Sequence, residues 1–104
     1  MVIGSPGGSR IITSVLQSII NVIEFNMTMQ EAVSTGRFHH QWLPDNIFIE
    51  SGAIDSLTID SLINIGHKIN ICDPFCRVDG ILILDNGDME GGSDPRGDDI
   101  AIGK

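Results

Sequence analysis

Two adjacent glycines sit in Gly4-Ser5-Pro6-Gly7-Gly8-Ser9-Arg10, which runs straight into the apolar segment Ile11 to Phe25. Glycine adopts backbone angles that side chains resist, and it lets the main chain come close to a ligand. At the start of a helix such a turn offers unpaired N–H groups and the positive end of the helix dipole. Both can hold an anion or a developing oxyanion. The spacing is not that of a phosphate loop, because the required Lys is missing, and it is not the dinucleotide fingerprint. The local pattern therefore reads as an anion-holding turn built around Gly7 and Gly8.

Other chemistry-bearing residues point to less. Cys72 and Cys76 bracket Cys-Asp-Pro-Phe-Cys. Zinc sites need four ligands and favour shorter cysteine spacings. A local disulfide is geometrically conceivable, and two unpaired thiols are the favoured reading. His39 and His40 are adjacent, and on an extended strand neighbouring side chains point to opposite faces, so they are poorly placed to chelate one ion. They read as structural, with Arg37 and Trp42 packing nearby. Asp94 and Arg96 read as a local ion pair or turn contact. Arg96-Gly97-Asp98 spells an adhesion tripeptide that is short enough to arise by chance. The carboxylates near the C-terminus fit no EF-hand loop. No metal site and no cofactor are expected.

The 104 residues form one piece, long enough to bury roughly two-thirds of their unfolded surface. Six basic against fourteen acidic residues give a formal charge of −8. Phosphate backbones and anionic membrane surfaces are therefore poor partners. No apolar run is long enough to span a bilayer, and the N-terminus does not read as a signal peptide. Met1 to Ile3 reads as the end of a strand. A helix is expected from Ser9 to Glu24, with Thr13, Ser14, Gln17, Ser18, Asn21 and Glu24 on one stripe and isoleucine, leucine and valine filling the rest. So wide an apolar arc needs cover.

Thr28-Met29-Gln30-Glu31 is a capping box opening a second helix, with Gly36 as its stop. Asn46 to Glu50 reads as a strand, about Asp55 to Ile65 as a third helix ending at Gly66, and His67 to Ile71 as a further strand. Gly80 to Leu84 and Met89 to Ser93 flank Asp85-Asn86-Gly87-Asp88, a hairpin signal. The tail from Asp94 reads as polar and glycine-rich, with Ile100 and Ile102 against a sheet edge. The order implies an α+β arrangement with helices covering one face of an antiparallel sheet. Ile81-Leu82-Ile83-Leu84 is apolar on both faces, so its second face needs another sheet or another chain.

Gly4 to Ile12, Arg37-Phe38-His39-His40-Gln41-Trp42-Leu43-Pro44, Gly66-His67 and Ser93-Asp94-Pro95-Arg96 occur in this order. Together they resemble the C-terminal half of the small subunit of the γ-glutamyltransferases (γ-glutamyltranspeptidases, glutathione hydrolases), over essentially the whole chain. The resemblance implies part of an N-terminal-nucleophile hydrolase αββα sandwich, two antiparallel sheets between helical layers. It implies that Gly7 and Gly8 present N–H groups to the oxyanion during γ-glutamyl transfer from glutathione to water or to an amino acid or peptide. Ser5 and Pro6, in the adjacent turn, become candidate substrate contacts. The family is typically periplasmic, secreted or at the cell surface.

The nucleophilic threonine of that family lies upstream of every segment present here. Thr13, Thr28, Thr35 and Thr58 fall in helices or at their boundaries, where none could act as an N-terminal nucleophile. Thr35-Gly36 also replaces the alanine-proline usual before the arginine. The expectation is an oxyanion hole without a nucleophile, silent by itself and completed by the remainder of a γ-glutamyltransferase. The alternative is a non-catalytic remnant or interaction module. In either case the flanks of Gly80–Leu84 and the arc of Ile11–Ile23 would be exposed in the lone chain, which is expected to pair with itself.

Overall fold

The computed structural model describes residues 1–103. In chain order it contains β1 (Val2–Gly4), a single 3-10 turn (Gly8–Arg10), α1 (Ile11–Ile23), α2 (Met29–Ser34), β2 (Phe38–His39) and β3 (Ile47–Glu50). These are followed by α3 (Ser56–Asn64), β4 (Ile69–Cys72), β5 (Asp79–Ile83) and β6 (Met89–Gly92). The strands form two three-stranded sheets, ordered β1-β5-β6 and β2-β3-β4. Helices and sheets are mixed in the α+β manner that the element order implies.

The first sheet is antiparallel throughout, with Val2 opposite Ile81 and Gly80 opposite Gly92. That glycine pair makes a flat patch on which α2 sits. A Cβ at Gly92 would come within 2.6 Å of the Met29 carbonyl oxygen, so no side chain fits there. Met29, Ala32, Val33 and Val78 are fully buried at this contact, with Ile3, Val22, Met27 and Leu82 packed around them. The Asn-Gly hairpin is present: Leu84 N–H donates to the Asp88 carbonyl at 2.8 Å, and Gly87 turns the chain at φ +89°. This is a three-residue loop with glycine in the left-handed position.

In the second sheet β2 and β3 are antiparallel, but β3 and β4 are parallel, with Ile49 opposite Ile71. Element order alone suggested antiparallel pairing. The stretch between β3 and β4 carries α3, which gives the chain room to return to the same end before pairing.

Local signals explain the helix starts. Thr28 caps α2 by accepting from Glu31 N–H, and the Glu31 carboxylate accepts from Thr28 N–H, completing the expected box. Gly36 does something other than stop α2. The helix ends at Ser34, Thr35 is extended, and a Cβ at Gly36 would meet that of Ala53 at 2.6 Å, so close packing requires the glycine.

The long first helix starts later than expected, and its apolar arc is open as expected of the lone chain. It opens as the 3-10 turn and becomes α-helical only at Ile11. Its polar stripe faces inward: Ser14 and Ser18 are fully buried, while Ile12, Leu16, Ile20 and Ile23 are exposed. The polar side chains read neighbouring main chain. Gln17 donates to the Phe38 carbonyl at 2.7 Å and accepts from Phe38 N–H at 3.1 Å, pairing with β2 as a strand would. The cover that the apolar arc needs is thus not supplied by this chain. The outer face of the first sheet is open in the same way at Val2, Ile81, Ile83 and Met89. Ile100 and Ile102 are exposed and belong to no strand.

Candidate active site

The turn between β1 and α1 is exposed at Gly7 and Gly8, at φ +134° and +62°. Both angles lie in the region that glycine adopts without strain. Arg10 N–H donates to the Gly7 carbonyl at 3.3 Å and closes the 3-10 turn. Among the described residues neither the Gly7 nor the Gly8 N–H has a hydrogen-bond partner. The Ser5 hydroxyl is engaged within the scaffold, donating to the Pro6 carbonyl at 2.7 Å and accepting from Arg77 N–H at 3.3 Å. Ser5 thereby ties the turn to the segment after β4.

The turn is held on several sides. The Arg10 guanidinium lies 4.8 Å from the ring centroids of both Phe48 and Phe75, a cation–π contact to each. Cys76 Sγ occupies the space beside Gly7, where a Cβ would approach to 2.3 Å. Cys72 and Cys76 are both free thiols. Burial pushes the Cys72 thiol up, against the opposing influence of Arg10.

His39 is buried on β2, in contrast to the half-exposed His40, whose Nε2 lies 3.2 Å from Asp45. The two rings thus point to different sides, as an extended strand requires. Trp42 was expected to pack beside them. Instead it is 77% exposed at φ +70°, and only Arg37 is buried nearby.

Beneath this region four charges interlock. Asp94 and Arg96 do pair, at 3.0 Å, but the contact is part of something larger. Asp94 also accepts from Arg37 Nη2 at 2.6 Å, and Arg96 grips Glu50 with both Nε and Nη2. Two cations and two anions leave the cluster neutral. Arg37 Nη1 donates to the Phe75 carbonyl and Arg96 Nη2 to that of Thr35, joining the segment before β2, β3, the end of α2 and the loops before β5 and after β6. Burial alone would raise the Glu50 carboxyl, but Arg96 and the N–H groups of Phe75 and Arg37 hold it below its ordinary value. Asp94 is lowered against its burial by Val78 N–H, Arg96 N–H and the two guanidiniums. Arg96 is raised despite burial by the same two carboxylates. Sequence reasoning did not single out Glu50, although a glutamate closing the apolar run Ile47-Phe48-Ile49 signals a carboxylate with a buried partner. With the Arg96 side chain 11% exposed, the Arg96-Gly97-Asp98 tripeptide is not displayed for adhesion.

The sequence matches the family model for gamma-glutamyltranspeptidase across residues 1–104. The chain belongs to the γ-glutamyltranspeptidase family.

It is 41% identical over 104 residues to the glutathione hydrolase proenzyme of Escherichia coli, covering 99% of this chain and 18% of that protein. A crystal structure of a Helicobacter pylori gamma-glutamyltranspeptidase mutant superposes with a TM-score of 0.82 at 44% identity, over 92% of this chain and 53% of that one. The Pseudomonas nitroreducens gamma-glutamyltranspeptidase complexed with L-DON gives 0.88 at 33% identity, over 99% and 54%. The chain therefore spans less than a fifth of its curated relative's length and about half of the matched structural chains. Within these 104 residues every threonine has a place in the scaffold. Thr13 lies in α1 and Thr58 in α3, while Thr28 and Thr35 flank α2.

Proposed function

We propose that the chain supplies the oxyanion-stabilising turn of a γ-glutamyl acyltransferase or glutathione hydrolase. A nucleophilic threonine contributed by polypeptide outside these 104 residues completes the site. One observation carries the reading: in a member of this family, the exposed Gly7–Gly8 turn holds unpartnered N–H groups at the start of α1. Attack on a γ-glutamyl amide carbonyl puts negative charge on its oxygen. Preorganised backbone donors facing that oxygen lower the barrier, at about 3 kcal/mol per donor. The acyl group then passes to water or to an amine acceptor.

The test is cleavage of a γ-glutamyl anilide by the chain alone, and again after co-folding with a polypeptide carrying the preceding half of a family small subunit. We expect no turnover from the chain alone and turnover from the complex. Turnover by the lone chain would overturn the external nucleophile. A folded, co-eluting complex that stays silent would overturn the catalytic reading.

A second reading is favoured by the apolar stripe Ile12-Leu16-Ile20 and the open face bearing Ile81 and Ile83. Contiguous exposed apolar surface of this kind marks an interface. Without its complement the chain pairs with itself through these faces, acting as a non-catalytic, self-associating module. Light scattering should show a dimer or larger species at micromolar concentration, and Leu16→Glu should shift it toward monomer. A monodisperse wild-type monomer at high concentration would remove this reading.

A further inference from the structure

We infer that His39, buried and away from the exposed turn, is a positioning residue for the Gly7–Gly8 oxyanion donors; this deepens the proposed function and rests on it. The ring joins two hydrogen-bonded arms. On one side Nδ1 lies 2.6 Å from Thr13 Oγ1, in the first turn of α1. On the other Nε2 lies 2.9 Å from Gln41 Oε1, which also accepts from the hydroxyl of Ser9 at 2.9 Å. Ser9 is the middle residue of the 3-10 turn that Gly8 opens.

The donor directions follow from the far end. The Gln41 amide nitrogen donates to the Leu43 carbonyl at 2.9 Å, so its oxygen faces Ser9 and His39 as an acceptor. His39 must then carry hydrogen on Nε2. Nδ1 shares the Thr13 hydroxyl with the Arg10 carbonyl, which that hydroxyl reaches at 3.2 Å. One imidazole thereby fixes the distance between the start of α1 and the turn that precedes it.

Packing reinforces the arms. The His39 ring lies 6.4 Å from each of Phe48 and Phe75, centroid to centroid, and these two rings carry the Arg10 guanidinium. His39 thus touches the supports of both Ser9 and Arg10, the residues immediately after Gly8. It touches no exposed surface where a substrate could reach, being 1% accessible. Its influence on chemistry has to pass through the placement of the glycine amides. A donor displaced by about 1 Å forfeits on the order of a hundredfold in rate.

His39→Phe keeps a ring against Phe48 and Phe75 and removes both hydrogen bonds, which separates positioning from packing. In the co-folded complex we expect kcat for γ-glutamyl anilide to fall about 10- to 100-fold with KM within about twofold, because the oxyanion forms only after binding. Ser9→Ala should lower kcat less, and the double variant should fall short of the product of the two single effects, since both break one relay. Unchanged kcat in His39→Phe, or fully multiplicative effects, would overturn the role. A complex of the wild-type chain without turnover would sink the γ-glutamyl reading alone, and the inference would then be read from the chain itself by amide NMR. There His39→Phe should move the Gly7 and Gly8 resonances while those of the distant hairpin at Gly87 stay in place. Unmoved glycine resonances would refute it.

Discussion

Asp94→Ala is expected to cost the chain most or all of its folded population. Asp94 accepts four hydrogen bonds: Val78 N–H at 2.7 Å, Arg96 N–H at 2.9 Å, Arg37 Nη2 at 2.6 Å and Arg96 Nη1 at 3.0 Å. Its removal leaves the guanidinium of Arg37, 1% exposed, with no compensating charge. Removing one member of a buried ionic cluster costs about 3–5 kcal/mol, because the other member remains buried and unpaired. Domains of this size have about 5–15 kcal/mol in total. The fully buried apolar core here is small, so the loss falls on a low reserve. Urea unfolding followed by circular dichroism should show a midpoint lower by about 2 M, or no cooperative transition. A midpoint within about half a molar of wild type would mean that the cluster is ornamental.

The same cluster sets the acid limit. Glu50 and Asp94 both titrate below their ordinary values of 4.5 and 3.8 in the folded chain. The unfolded chain takes up these protons first, so stability rises with pH across that range. The contribution is fully present above the ordinary values and is lost as pH falls through the depressed ones. The wild-type urea midpoint should therefore drop between pH 6 and pH 3 by more than that of any Asp94 variant that still folds.

Features written in neighbouring residues were legible in the sequence. Thr28 and Glu31 satisfy each other's backbone partners within one turn, and Asn86-Gly87 forces a reversal whatever surrounds it. The Gly7–Gly8 turn belongs to this class, because positive φ is a local demand. What escaped notice depends on partners distant in sequence. Glu50 on β3 and Arg96 after β6 are 46 residues apart and meet beside the end of α2, where Arg96 also donates to the Val33 and Thr35 carbonyls. In α1 the apolar arc is open in the lone chain, as its width implies, but the partners of the inward polar stripe are not local. Serines at 14 and 18 are small enough for close approach, and Gln17 serves as an extra strand to β2. A helix polar toward its own chain and apolar outward leaves its apolar face uncovered among the described residues.

That division of labour makes the glycine pair unequal, and replacing each should tell them apart. A Cβ at Gly7 would lie 2.3 Å from Cys76 Sγ, on a residue whose φ of +134° side chains rarely adopt. A Cβ at Gly8 would meet nothing within 4 Å, and its φ of +62° is the ordinary left-handed region. Alanine there costs only about 1–2 kcal/mol of conformational energy. In the co-folded complex Gly7→Ala should lower kcat about 100- to 1,000-fold, the loss typical of one oxyanion donor. Gly8→Ala should lower it by no more than about tenfold, and KM should change little in either. Cys76→Ala removes the sulfur but leaves its Cβ 3.4 Å from the new methyl group. Added to Gly7→Ala it should restore part of kcat, because the clash is relieved while the backbone strain remains. Equal losses at the two glycines, or no rescue by Cys76→Ala, would show that the thiol beside Gly7 does not set the shape of the turn.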